Sequence, residues 1–158
     1  MRTIIHDLDN TELLNFKDDD IILTSENSQY CIGCFNCWTK TPLKCVFKDK
    51  LHENGKYLLD SDELIIISRC INGCYSSKVK KVLERSISYV LPFFTIREKE
   101  LHHKLRNEKR LSLKVYFYGN VNDKDKNIAR KLVMANKKNF DNSNMDIYFV
   151  NKIEDLII

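Results

Sequence analysis

The chain lacks any apolar segment long enough to cross a membrane. A run such as Leu64-Ile65-Ile66-Ile67 holds only four residues, whereas a membrane-spanning helix needs about 20. The opening residues MRTIIHDLDN carry acids where a secretory signal has its apolar core. We therefore expect a cytoplasmic protein with no membrane partner.

A strong net charge is also lacking. The formal charge of +4 over 158 residues is too small to predict a nucleic-acid partner. Charges are nevertheless distributed unevenly, because acids dominate residues 1–20 and bases dominate residues 97–110. We interpret both segments as solvated faces, which is the usual role of such charge runs.

The composition is that of one soluble globular domain. A length of 158 residues fits one domain, since domains average roughly 150 residues. Hydrophobic residues make up 43% and charged residues 30%, which excludes intrinsic disorder for most of the chain. We expect a single domain that covers residues 1–158.

Short apolar runs alternate with helical patterns along the chain. The apolar runs predict strands near residues 4–5, 21–23, 64–67, 111–117 and 145–150. Apolar residues at helical spacing predict helices over residues 49–59, 76–91 and 123–140. This alternation predicts an α/β fold with a five-stranded parallel sheet in the order 2-1-3-4-5.

Two further helices are expected to be short. The first has room only over residues 10–16, and the segment after the last strand is a stub. Right-handed crossovers place both on one face of the sheet, which would be thinly covered. We expect this face to be covered by the basic arm, residues 93–110, or by a second subunit, and we predict a homodimer.

Six cysteines in a reducing compartment indicate metal binding or redox chemistry rather than disulfides. Four of them, here called the quartet, follow the spacing C-x2-C-x2-C-x7-C: Cys31, Cys34, Cys37 and Cys45. Such compact spacing is typical of four-iron clusters, whereas zinc sites usually pair two C-x2-C units across a longer loop. A 4Fe-4S cluster, a zinc ion and metal-free thiols all remain open. Lysines of the loop would offset the thiolate charge: Lys40, Lys44 and Lys48.

The remaining cysteines, Cys70 and Cys74, follow the strand predicted at residues 64–67. The quartet in turn follows the strand predicted at residues 21–23. Carboxyl ends of parallel strands share one edge of the sheet, and open α/β sheets bind ligands there. We therefore expect all six sulfurs to lie along that edge.

Two segments resemble a known family: CIGCFNCWTKTPLKC and DELIIISRCINGCYSSKVKKVLERS. They resemble the flavodoxin-like NADPH-dependent FMN reductase family, nearest to its iron–sulfur flavoprotein type. The resemblance covers residues 30–88 and implies a flavodoxin-like three-layer sandwich with FMN at the C-terminal edge of the sheet. It also implies an oxidoreductase or electron-transfer protein, for which NAD(P)H and a redox partner protein are candidate electron-transfer partners.

The resemblance assigns cofactor contacts to two loops. These contacts are Ser68, Arg69, Cys70, Ile71, Asn72, Gly73, Cys74 and Ser76, together with Gly119 and Asn120. Arg69 and Ile71 depart from the family pattern, which has proline and tyrosine at these positions. Loss of the tyrosine removes the ring that would stack on the flavin.

The largest departure follows the first strand, where flavodoxin-like proteins bind the FMN phosphate through backbone N–H groups. Here the segment reads HDLDNTE, with three carboxylates and neither glycine nor serine. Like charge opposes phosphate binding, so this loop is degenerate. Two hypotheses follow. One is an FMN-dependent oxidoreductase with a 4Fe-4S cluster, and the other is a flavin-free, non-enzymatic redox or metal-binding module on the same scaffold; neither assigns a catalytic acid or base.

Overall fold

A five-stranded parallel sheet runs through the centre of the molecule. The computed structural model describes residues 1–12 and 14–156. Its strands are β1 (Arg2–His6), β2 (Ile21–Leu23), β3 (Glu63–Arg69), β4 (Val90–Arg97), β5 (Glu100–Leu105), β6 (Ser112–Tyr118) and β7 (Met145–Val150). Its α-helices are α1 (Asn36–Thr39), α2 (Asn54–Asp60), α3 (Ser77–Glu84) and α4 (Asp123–Phe140), and 3-10 turns lie at Ile87–Tyr89 and Ile153–Asp155.

The strand order of the parallel sheet is β2-β1-β3-β6-β7. Counting only the strands of this sheet, the order is 2-1-3-4-5, so the predicted parallel sheet is confirmed. β4 and β5 form a separate antiparallel pair, which the sequence did not predict. None of the helices within residues 1–12 and 14–156 is both long and apolar enough to span a membrane.

The central strand β3 is covered on both faces. Leu64 and Ile66 belong to one apolar cluster, whereas Ile65 and Ile67 belong to the other. Alternate residues of a strand point to opposite faces, so a continuous apolar run is what a doubly covered strand requires.

Helices α2, α3 and α4 cover one face. Leu58, Val79, Val82, Ala129 and Val133 join the apolar cluster there and are fully buried. The side chain of Asn122 accepts a hydrogen bond from the Asp125 N–H (2.9 Å) and caps the start of α4.

The opposite face carries turns instead of α-helices in the described residues. Leu8, Leu14 and Leu156 cover Ile4 and Ile65 there. The prediction of a short helix over residues 10–16 is wrong for the described part of that segment. The Asn10 side chain accepts a hydrogen bond from the Glu12 N–H (2.8 Å), and the chain forms a turn there. Residue 13 of that predicted helix and residues 157–158 of the predicted C-terminal stub lie outside the described residues.

The basic arm does not cover this face of the sheet, so the expectation that residues 93–110 would do so is wrong. Its residues belong to the β4–β5 hairpin, joined by a two-residue turn in which Glu98 (φ 51°) and Lys99 (φ 66°) are both left-handed. The hairpin contacts α4, where an Arg97 guanidinium N–H donates to the Lys138 carbonyl (3.0 Å). That contact places it on the helix-covered side.

The helix predicted over residues 76–91 ends early, at Glu84. The Ser86 hydroxyl donates to the Val82 carbonyl (2.9 Å), and the chain then makes one 3-10 turn before β4 begins. Pro92 disfavours helical backbone at the residue before it, which suits the extended start of β4.

Candidate functional site

The six thiols form two groups at opposite ends of α3. The quartet lines a pocket together with Glu84 and Arg85, at the end of the helix. Cys70 and Cys74 belong to the loop before the helix, where the Ser76 N–H donates to Ser68 at the end of β3 (2.9 Å). An eight-residue helix is about 12 Å long. The expectation that all six sulfurs share one edge of the sheet is therefore wrong.

The segment that follows β2 runs back beside α3, and it thereby places the quartet at the C-terminal end of this helix. Lys81 donates to the Ser25 carbonyl (3.2 Å) and lies over the ring of Tyr30. Arg85 donates to the Gln29 carbonyl (2.7 Å), immediately before the quartet begins. This extended segment has no helical apolar period, so no local pattern of residues indicated its direction.

The quartet surrounds one small pocket of about 20 Å³, which is room for about one water molecule. Cys31 and Cys34 are exposed, whereas Cys37 and Cys45 are half-buried. Gly33 turns the chain with a φ of 65°, and a Cβ at this position would meet nothing within 4 Å. The half-buried pair is therefore less accessible than the exposed pair, and the turn at Gly33 between the two exposed cysteines has open space beside it.

The four thiols interact electrostatically. Burial raises the pKa of the Cys37 thiol, and the neighbouring Cys45, Cys31 and Cys34 raise it further. Among the described residues, no three His, Cys, Asp or Glu side chains converge as ligands of one metal ion. The four thiols are therefore near neighbours that do not form a converged metal site within residues 1–12 and 14–156.

Two arginines lie beside the quartet. The Arg85 side chain is fully buried and pairs with Asp49 (2.8 Å); burial lowers its pKa, but the hydrogen bond with Asp49 and the neighbouring Cys45 outweigh burial and raise it. Arg106 donates from Nε to the Ser88 carbonyl (2.6 Å) and interacts electrostatically with Cys37. Sequence reasoning missed this role, because neither arginine is near the quartet along the chain.

The loop lysines contribute less to the pocket than expected. Lys44 pairs with Glu53 (3.3 Å), which offsets its charge, and the pocket lining includes Arg85 but none of the three lysines. The basic residue that lines the pocket with the thiols is thus Arg85, at the end of α3.

The Arg85–Asp49 pair also anchors the start of the quartet loop. The Asp49 carboxylate accepts the Gln29 N–H (2.9 Å) and the Leu51 N–H (3.0 Å). Burial alone would raise the pKa of Asp49, but these hydrogen bonds and that from Arg85 outweigh it and lower the pKa. The carboxylate therefore stays ionised and holds both segments.

The C-terminal edge of the sheet brings together the residues that the resemblance assigned to a cofactor. Residues 71–74 close into a two-residue turn, with Asn72 (φ 52°) and Gly73 (φ 77°) left-handed. The Cys70 N–H donates to the Tyr118 carbonyl (3.1 Å), which joins this loop to the end of β6. Gly119 and Asn120 follow directly, so the two assigned loops are neighbours.

The Asp7 carboxylate occupies the centre of this edge. It accepts the Arg69 N–H (3.1 and 3.2 Å) and is buried at 8% exposure. Burial raises the pKa of Tyr118, and the charge and hydrogen bond of Asp7 raise it further, so the phenol stays protonated. Asp7 is thus a structural link between β1, β3 and β6.

The segment after β1 does not fit the FMN phosphate. Its Leu8 N–H donates to the His6 imidazole (3.2 Å), and the Leu14 N–H donates to the Thr11 carbonyl (3.0 Å). These two backbone donors are therefore engaged within the segment. Asp9, paired with Lys78 (3.0 Å) but largely exposed, adds negative charge.

An aromatic chain connects the quartet loop to the hairpin. The rings of Phe35 and Trp38 stack at 5.2 Å, Trp38 contacts His103 at 5.1 Å, and His103 contacts Phe94 at 4.7 Å. The Trp38 indole N–H donates to the Val90 carbonyl (2.9 Å). An apolar cleft of about 690 Å³ opens between the loop and the hairpin.

No protein-family model matches this chain, and a search of curated proteins also finds no match.

Proposed function

We propose that this chain is an electron-transfer protein on a flavodoxin-like scaffold, with the quartet as its redox centre. The observation that carries the proposal is the presence of four thiols around one pocket that the buried Arg85 also lines. Thiolates with cationic neighbours are a suitable ligand set for a 4Fe-4S cluster, which would supply one-electron chemistry. The poor fit of the segment after β1 to a flavin phosphate favours the flavin-free module over the FMN-dependent enzyme.

The chain's own residues would each have a defined part. Cys31, Cys34, Cys37 and Cys45 would hold the cluster. The exposed Cys31 and Cys34 would move outward to open the pocket, since Cys37 and Cys45 are half-buried in its wall. Phe35 and Trp38 would limit the access of water on one side.

The test is anaerobic purification followed by assays for iron, sulfide, zinc and flavin. We expect iron and sulfide at about four of each per chain, with zinc and flavin well below one. Cys37→Ser should lose most of the iron, because it removes one of the two half-buried ligands of the quartet. Zinc in place of iron, or a metal-free protein, would reject the proposal.

Cys70→Ser supplies the matched control. It removes one thiol from the chain, but at the opposite end of α3, so its iron content should equal that of the wild type. Equal iron loss in both variants would show that the quartet is not the metal site.

An FMN-dependent oxidoreductase is the second candidate. The open surroundings of Gly119, where a Cβ would meet nothing within 4 Å, and its proximity to the turn at Gly73 favour it. NAD(P)H would then be the electron donor. The poor fit of the phosphate segment weighs against it, and stoichiometric flavin in the purified protein would make it the better account.

We also propose a homodimer formed through the hairpin. Phe93, Phe94, Ile96 and Leu101 are all at least 60% exposed on its surface, and such apolar groups are rarely left in water together. Sedimentation at micromolar concentration should give a dimer, and Leu101→Glu should give a monomer. A wild-type monomer would favour a redox partner protein as the occupant of this surface.

A further inference from the structure

The apolar cleft between the quartet loop and the hairpin has the size and the lining of a small-molecule site. Its volume of about 690 Å³ lies within the usual range of ligand pockets, roughly 300–1,000 Å³. Three phenylalanine rings line it, those of Phe35, Phe94 and Phe140, together with aliphatic side chains from α3, the 3-10 turn and the hairpin. Walls of this kind suit a flat aromatic ligand.

The charges in the lining favour a cation. Glu84 lines the cleft, is exposed to solvent and forms no ion pair among the described residues. No lysine or arginine of the described residues lines the cleft. The lining also holds two imidazole rings, of which His102 lies 3.4 Å from Glu100 and His103 hydrogen-bonds with a backbone carbonyl (2.8 Å). The Glu84 carboxylate therefore remains available to a ligand.

Two helices end at the cleft and add to this preference. Leu83 and Glu84 are the last two residues of α3, and Asn139 and Phe140 are the last two residues of α4. The C-terminal end of a helix carries partial negative charge, which stabilises a nearby cation. The faces of aromatic rings attract cations as well. The carboxylate, the helix ends and the rings thus favour the same kind of group.

Three lysines belong to the last turns of these helices but do not line the cleft. Lys81 donates to the Ser25 carbonyl (3.2 Å), and Lys138 pairs with Glu100 (2.7 Å). Lys137 lines a separate pocket. The unpaired charge at the cleft itself is therefore that of Glu84.

We propose that this cleft binds a hydrophobic organic cation, namely an aromatic ring system that carries an ammonium group. The ring system lies among the phenylalanine rings, and the ammonium group lies near the Glu84 carboxylate. Such binding requires neither a metal centre nor a flavin, so its test is separate from that of the proposed function.

The test compares three probes that share a naphthalene ring and differ in charge. They are 2-naphthylmethylammonium, the neutral 2-naphthylmethanol and the anion 2-naphthoate, each titrated into the protein near neutral pH in a calorimeter. We expect the ammonium probe to bind about tenfold more tightly than the alcohol, and the alcohol to bind more tightly than the anion.

Glu84→Gln should weaken binding of the ammonium probe by about fivefold, the effect of one partly exposed ion pair, and leave binding of the alcohol unchanged. Glu108→Gln is the matched control. It makes the same charge change at another exposed glutamate, which lines a different pocket. Solvent and salt screen such a charge, so this variant should bind the ammonium probe within about twofold of the wild type.

Phe35→Ala shows where the probes bind. It removes one exposed ring of the cleft wall, so the ammonium probe and the alcohol should both bind about fivefold more weakly. Tighter binding of the ammonium probe that depends on Glu84 and Phe35, but not on Glu108, would establish the site. Equal affinities for the three probes, no binding of the ammonium probe at millimolar concentration, equal losses in the two glutamate variants, or full affinity in Phe35→Ala would overturn it.

Discussion

Gly55→Ala should lower the free energy of unfolding by about 3 kcal/mol, at the upper end of the usual range for overpacking. A Cβ at this position would overlap the Ser88 hydroxyl and come within 2.9 Å of the Tyr89 backbone nitrogen. Both neighbours are buried in the 3-10 turn that packs against α2, so neither can move away. Alanine normally stabilises a helix by up to about 1 kcal/mol relative to glycine, so the expected sign is reversed here.

The measurement is urea unfolding followed by far-ultraviolet circular dichroism. Lys56→Ala is the control, because it changes the next residue of α2 on the exposed side and should alter stability by no more than about 0.5 kcal/mol. A Gly55→Ala protein as stable as the wild type would show that α2 and the 3-10 turn are not packed as described.

Asp49→Ala should lower the free energy of unfolding by about 3–5 kcal/mol, the typical cost of an unpaired buried charge. The fully buried Arg85 side chain would lose its carboxylate partner, and the Gln29 and Leu51 N–H groups would lose their acceptor. Because Gln29 immediately precedes the quartet loop, we also expect this variant to bind iron less well.

Glu53→Ala provides the comparison for Asp49→Ala. Glu53 pairs with the exposed Lys44, and such a surface ion pair contributes at most about 1 kcal/mol. The stability losses of Asp49→Ala and Glu53→Ala, measured by thermal and urea unfolding, should therefore differ clearly. Equal, small losses in the two would contradict a structural role of the Arg85–Asp49 pair.

The sheet could be predicted from the sequence because its signals are local. Continuous apolar runs such as residues 64–67 indicated strands covered on both faces, and the helical period over residues 123–140 indicated α4. The hairpin could not be predicted in this way. Its turn at Glu98 and Lys99 contains none of the glycine or asparagine residues that usually announce two left-handed positions.

The site was predicted in its residue types but not in its place. The spacing of the quartet indicated a thiol centre, and the structure brings those four thiols to one pocket. Its position depends on long-range contacts, such as Arg85 to Gln29, and no local pattern encodes these. The place of Arg85 beside the pocket could not be predicted for the same reason, since its contact with the start of the quartet loop joins residues far apart in the chain.

The aromatic chain gives this protein a built-in optical probe. Trp38 is the sole tryptophan of the chain, and it lies within the quartet loop, one residue after Cys37. Its indole emission therefore originates beside the pocket, without a label and without background from other indoles. Iron that is bound to thiolates and sulfide absorbs light at the wavelengths where tryptophan emits. Metal loading should therefore quench the fluorescence of Trp38, and metal loss should restore it.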